Sequence, residues 1–202
     1  MSRRSFIALA VLGLTIAAGA QPTTGGIVFV GSSIFHRWTA LSSQMAPLPI
    51  ANLAIDGTVT ADMLAMVNSR VIPLRPKVIA YYCGSNDVDL GDSADAIVGR
   101  IVQFIDRVGA ALPSTRIVFV SVNRAPEKQD LWNVVDDVNR RMQMYASSHP
   151  HVEFVDVNPV LFTTDGKPRF DFYMPDELHL RPPAYEGFTK ILKPVLTRAF
   201  GQ

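Results

Sequence analysis

From Gly25 onward the chain alternates short runs rich in β-branched and aromatic residues with longer stretches whose apolar positions recur at helical spacing. The runs Ile27 to Val30, Ile50 to Ala54, Val78 to Tyr82, Ile117 to Val120 and Val152 to Val155 are almost continuously apolar, the pattern of strands covered on both faces. Between them Ile97, Ile101, Phe104, Ile105, Val108 and Leu112 keep helical spacing, as do Leu131, Val134, Val135, Val138, Met142 and Tyr145. Tyr185, Phe188, Ile191, Leu192, Val195 and Leu196 repeat the pattern near the end, in a helix that Pro194 is expected to kink. Strands alternating with helices predict an α/β fold around a five-stranded parallel sheet. No internal repeat or low-complexity linker interrupts the order, which predicts one domain.

Composition narrows the picture. A length of 202 residues, 48% of them hydrophobic and 18% charged, suits one well-cored globular domain. The formal net charge is +1 and no run of like charge occurs, which excludes a nucleic-acid binder held by phosphate contacts. Met1 to Ala20 reads as an export signal. Arg3 and Arg4 precede the apolar stretch Phe6 to Ala18, and Ala18-Gly19-Ala20 offers a cleavage site. That stretch is too short for a membrane span, so the mature chain is expected to have no stable one. Ser2-Arg3-Arg4-Ser5-Phe6-Ile7 resembles a twin-arginine signal, and an ordinary Sec signal with two arginines remains the alternative. The expected organisation is a signal at 1–20, a short linker at 21–25 and a domain at 26–202, exported to the periplasm or secreted. Without the signal the net charge becomes about −1. Cys83 is the only cysteine, so no internal disulfide can form.

In a parallel sheet the loops leaving the carboxyl ends of the strands build the ligand site. Here they hold Gly31-Ser32-Ser33-Ile34 after the first strand, Asn52 to Gly57 after the second and Gly84-Ser85-Asn86-Asp87 after the third. Asp176-Glu177-Leu178-His179 follows the fifth. No G-x-G-x-x-G follows a strand, and Gly26 to Gly31 lacks the lysine of a phosphate-binding loop, so no nucleotide cofactor is expected. His149 and His151 have no third ligand beside them and read as an exposed turn, and no metal is expected. His36 reads as structural or surface, Trp38 as core and Arg124 as a solvated loop residue beside Asn123. Trp132 opens the next helix, near the cleft.

What remains is an acyl-transfer constellation of a serine on a strand-to-helix turn, a histidine and a carboxylate. Ser33 is a weak nucleophile until a histidine takes its proton, and the histidine needs a carboxylate to fix its tautomer. Asp176 and His179 offer that pair from one short segment. The Ser33 N–H at a helix start, the Gly57 N–H and the Asn86 amide are donors suited to an oxyanion. Each piece alone reads equally well as a turn or a cap, and Ser32 competes with Ser33 as nucleophile. A flavodoxin-like strand order 2-1-3-4-5 would bring the Ser33 and Asn86 loops to one crevice.

In these blocks the chain resembles the SGNH (GDSL-type) hydrolases, from about Ile27 to Leu196. Gly31-Ser32-Ser33 matches the Gly-Asp-Ser block with Ser32 in place of Asp. Asn52 to Gly57 matches the second block, Gly84-Ser85-Asn86-Asp87 the Gly-x-Asn-Asp block, and Asp176-x-x-His179 the fifth. The resemblance implies a three-layer α/β/α sandwich and ester hydrolysis through an acyl-enzyme on Ser33. It makes His179 the base and then the acid, Asp176 its partner, and Ser33, Gly57 and Asn86 the oxyanion hole. Asp56 stands where a small residue is common, and Glu177 replaces the glycine of Asp-Gly-x-His. The implied partner is a small-molecule ester. The leading expectation is a serine esterase for short acyl groups, among them acetyl groups on carbohydrates. The alternatives are a lipid-directed lysophospholipase or thioesterase on the same site, and a catalytically silent binding relative.

Overall fold

A computed structural model of the chain describes residues 24–201. The export signal read at Met1 to Ala20 lies outside them. Five strands, β1 (Ile27–Gly31), β2 (Ile50–Asn52), β3 (Val78–Tyr82), β4 (Arg116–Val120) and β5 (Val152–Val155), form one sheet in the order β2-β1-β3-β4-β5. Every pairing is parallel, with Ile27 opposite both Ile50 and Val78, Val78 opposite Arg116 and Ile117 opposite Val152.

Because successive strand side chains point to opposite faces, the apolar runs feed two cores at once. Ile27, Phe29, Ala80, Tyr82, Val118 and Val120 face one layer. It comprises α1 (Ser33–His36), α2 (Leu41–Met45), α7 (Asn158–Leu161) and α8 (Pro182–Gly201). Val28, Val30, Ile79, Tyr81, Ile117 and Phe119 face the other, which holds α3 (Thr60–Met66), α5 (Ala94–Ala111) and α6 (Trp132–Ser148). The result is the expected α/β/α sandwich. Its long helices bury the predicted stripes, including Ile97, Ile101, Phe104, Val108, Val135, Val138 and Met142.

One local expectation needs correction. The second strand stops at Asn52 and is only partly buried, because β2 is an edge strand. Its continuation turns away where the Asn52 side chain accepts the Ala54 N–H at 3.1 Å. The closing helix runs as one element through Pro194. Trp38, read as core, lies just beyond α1 and stacks on Tyr185 at 5.0 Å, 2% exposed.

Candidate active site

The turn after β1 is shaped by how closely β1 and β3 approach. A Cβ on Gly31 would sit 2.0 Å from the Tyr82 carbonyl oxygen, so only glycine fits. Ser32 is extended and donates its N–H to that carbonyl at 3.2 Å, while its own carbonyl accepts from Phe35 and His36. Ser33 is therefore the first residue of α1. Its N–H and that of Gly57 are donated to no protein acceptor among the described residues. The helix has four residues, so its dipole is that of a single turn, and direct N–H donation rather than a helix field is what it offers an anion.

Distant elements hold this short helix in place. The Tyr185 hydroxyl, from α8, donates to the Ile34 carbonyl at 2.9 Å. The Asn52 amide donates to the Phe35 carbonyl at 2.8 Å, and His36 Nδ1 is 2.9 Å from the Ala54 carbonyl. Asn52 and His36 are thus fasteners between the first two blocks, and the structural reading of His36 holds.

The second and third loops close on the first. Ile55 N–H donates to the Gly31 carbonyl at 3.0 Å, and the Thr58 hydroxyl lies 3.3 Å from the same oxygen. Between them Gly57 takes φ 74°, a left-handed conformation costly for residues with a Cβ. The Asn86 amide, on α4 (Ser85–Asp89), donates to the Thr58 carbonyl at 2.9 Å. That uses one amide hydrogen and leaves the second. Asp87, fully buried, accepts the Thr60 N–H at 3.0 Å, the Thr60 hydroxyl and Arg100 Nη2 at 3.0 Å. Lys128, also buried, donates to the Ser85 carbonyl at 3.0 Å and pairs with Asp89. Asn86 is therefore clamped from both sides.

Asp176 and His179 sit in the turn of a short hairpin whose base is the antiparallel bridge Tyr173 to Leu180. Met174 N–H donates to the His179 carbonyl at 2.7 Å and Glu177 N–H to the Met174 carbonyl at 2.9 Å. Asp176 Oδ1 accepts the N–H groups of Leu178 and His179 at 3.1 and 2.9 Å, and Oδ2 lies 2.7 Å from His179 Nδ1. With Nδ1–H donated to the carboxylate, Nε2 is left as the basic nitrogen. Partial burial pushes the Asp176 pKa up, but the bonds from the His179 ring, its N–H and that of Leu178 outweigh it and hold the group at about 2. A depressed carboxylate adds stability above its ordinary value, 3.8, that is lost as pH falls through about 2.

Asp56, which stands where a small residue is common, is ion-paired with Arg37 at 2.9 Å, which offsets its negative charge. Asp176 lies within electrostatic reach of the same arginine, which directly follows α1. Glu177, in the place of the family's glycine, has φ 54°. A side chain there costs roughly 1–2 kcal/mol, partly offset by the greater entropy glycine would lose on folding. Glu177→Gly is accordingly expected to raise Tm by about 2 °C. Thermal denaturation checks this, and a fall in Tm would mean that the turn tolerates the side chain without strain.

Asp87 is visible in the sequence only as part of its block and Tyr185 only as a position of the closing apolar stripe, and Thr60, Arg100 and Lys128 carry no signal there. Their partners lie 13 to 151 residues away, and only the buried charge of Lys128 and Asp87 marks them. Trp132 opens α6, donates to the Ala125 carbonyl at 2.8 Å and packs edge-on to Phe162. Arg124 pairs with Asp136 at 2.5 Å and stays 42% exposed, as read, while the adjacent Asn123 is buried.

Solved structures with the same fold include a GDSL-like lipase from Bacteroides thetaiotaomicron, with 21% identity, 86% of this chain and 88% of that one covered, and a TM-score of 0.75. A carbohydrate esterase family 3 protein from Talaromyces cellulolyticus shows 14% identity, coverage of 88% and 99% and a TM-score of 0.71. A variant of an acetyl-xylooligosaccharide esterase from Geobacillus shows 17% identity, coverage of 91% and 97% and a TM-score of 0.66. No curated protein is significantly similar in sequence. In sequence the GDSL-like lipase/acylhydrolase family matches residues 15–186. That stretch takes in all four sequence blocks, from Ser33 to His179, and the chain belongs to this family.

Proposed function

We propose that the chain is a serine esterase in which Ser33 is the nucleophile, His179 the general base and Asp176 its partner. The observation that carries this reading is the convergence of three loops, through Ser32 to Tyr82, Thr58 to Gly31 and Asn86 to Thr58, around the undonated N–H groups of Ser33 and Gly57. Ser33 Oγ attacks the ester carbonyl and its proton passes to His179 Nε2. The oxyanion is met by the Ser33 and Gly57 N–H groups and the remaining Asn86 amide hydrogen. The alcohol leaves with the proton from His179. A water then attacks the acyl-enzyme with His179 again as base, and Ser33 regains its proton as the acid departs.

Short acyl groups, among them acetyl groups on carbohydrates, are the proposed substrates, in keeping with the esterases of similar fold. One observation favours the lipid-directed alternative. Ile55, Leu90 and Met174, on the loops that carry Gly57, Asn86 and Asp176, are among the few exposed large hydrophobics. A series of p-nitrophenyl esters from acetate to laurate, run beside acetylated sugars, separates the two. Acetate and butyrate are expected to turn over fastest. A kcat/KM that rises steadily to laurate would favour the lipid-directed reading, and no turnover of any ester would make the chain a silent relative.

Asn86→Ala removes one of three oxyanion donors and is expected to lower kcat about 10²–10³-fold with KM nearly unchanged. Steady-state kinetics checks it. A loss confined to KM would assign Asn86 to substrate binding instead.

A further inference from the structure

Lys128 is the one buried basic side chain among the described residues. It lies in the 3₁₀ turn Pro126–Leu131, which follows β4 and leads into α6. Its side chain is 1% exposed and runs to α4, where Nζ donates to the Ser85 carbonyl at 3.0 Å and pairs with the Asp89 carboxylate. Ser85 and Asp89 are the first and last residues of that helix, four apart and so on one face. One side chain therefore holds both ends of α4.

A helix of five residues does not keep its own orientation, so the ties around it decide where its side chains aim. Asn86 stands between two of them. On one side Ser85 is held by Lys128, and on the other Asp87 is held by Thr60 and Arg100. The turn that carries Lys128 is itself anchored, since Trp132 Nε1 donates to the Ala125 carbonyl at 2.8 Å and the Lys128 N–H to the same carbonyl at 3.0 Å. Glu127, beside Lys128, donates its N–H to the Glu177 carbonyl at 3.4 Å. One turn thus touches both α4 and the hairpin of Asp176 and His179.

Stability alone is a weak reason for this lysine. Desolvating an ammonium offsets most of what its ion pair returns, and a well-packed apolar side chain of the same length would hold the layers together as well. What an apolar side chain lacks is direction, because it makes no bond to a particular carbonyl. We infer that Lys128 is a positioning residue: it fixes the rotation of α4 and so aims the free Asn86 amide hydrogen at the developing oxyanion. The aim rests on the esterase reading, which makes Asn86 an oxyanion donor. The grip on α4 does not.

Lys128→Met keeps the length of the side chain and removes both bonds. It is expected to lower kcat for p-nitrophenyl acetate about 30-fold with KM nearly unchanged, a smaller loss than that of Asn86→Ala. In an Asn86→Ala background the same change is expected to cost at most about twofold, because the group it positions is gone. Lys128→Gln keeps a donor for Ser85 on a side chain one bond shorter, and is expected to lose only about threefold. It carries the same comparison should the Met variant fail to fold. An unchanged kcat in either variant, a loss that falls on KM, or a loss that persists in full without the Asn86 amide would overturn the inference. Hydrogen exchange reads the grip on α4 without any substrate. The Val88 and Leu90 N–H groups, bonded to the Gly84 and Asn86 carbonyls at 3.2 and 3.1 Å, are expected to exchange faster in either variant, about tenfold in Lys128→Met. Unchanged exchange would overturn the grip and the aim together. Should the unsubstituted protein hydrolyse no ester, the esterase reading fails, and the exchange measurement still decides whether Lys128 holds α4.

Discussion

Ser33→Ala and His179→Ala are each expected to lower kcat for p-nitrophenyl acetate about 10⁶-fold, with the double substitution little worse than either. Nucleophile and base act as one unit, so removing either leaves only the oxyanion donors and binding to accelerate the reaction. The fold supports Ser33 over Ser32 for this role. Ser32 is spent on the turn: its N–H goes to Tyr82, its carbonyl caps α1, and it is the more deeply buried of the two. Ser33 opens the helix with its N–H undonated. A fluorophosphonate probe read by mass spectrometry is therefore expected to label Ser33, and to label the Ser32→Ala variant equally. Labelling that survives Ser33→Ala and vanishes in Ser32→Ala would move the nucleophile one residue back.

Much of the architecture could be read from periodicity. The strands β1, β3, β4 and β5 are apolar on both faces because both faces are covered, and they stood out as runs. Only β2, an edge strand half open to solvent, was overextended, since Leu53 and Ala54 are as apolar as a strand but follow an asparagine whose side chain starts a turn. A proline removes one helical hydrogen bond and disfavours the turn before it, and α8 nevertheless continues through Pro194, with Leu192 and Leu196 on either side fully buried.

The candidate site was legible as far as its chemistry depends on residue type at fixed spacing. Asp176 and His179 are three residues apart because one turn must bring a carboxylate to Nδ1 and cap its own backbone as well. The residues that hold the loops together were not legible. Asp87 buries a carboxylate against Thr60 and Arg100, Lys128 reaches the Ser85 carbonyl across 43 residues, and Tyr185 reaches Ile34 across 151. Such contacts follow from how the layers stack, and no local pattern encodes them. Glu177 lies between these cases. Its departure from the family's glycine was visible in sequence, and its meaning, a side chain held at positive φ, emerged only with the backbone.

Asp176→Asn is expected to lower kcat about 10³–10⁴-fold while leaving the fold nearly intact. The substitution keeps an oxygen that can still accept from the Leu178 and His179 N–H groups, so the turn survives. What changes is the group facing Nδ1. A carboxylate accepts the Nδ1 proton and leaves Nε2 as the basic nitrogen, whereas an amide turned with its NH₂ to the ring makes Nδ1 the acceptor and moves the proton to Nε2. The base is then blocked where it is needed. Because the Asp176 pKa is held at about 2, the carboxylate is ionised throughout the range in which the enzyme can be assayed. The deficit of the variant should accordingly be flat from about pH 5 to 9, where protonation of Asp176 plays no part. The pH dependence of kcat for both proteins measures this. A loss below tenfold would make Asp176 only the maker of the turn, with His179 kept in its tautomer by something else. Tm is expected to move little, since the Asp176 side chain is 47% exposed and an exposed ion pair contributes little to stability.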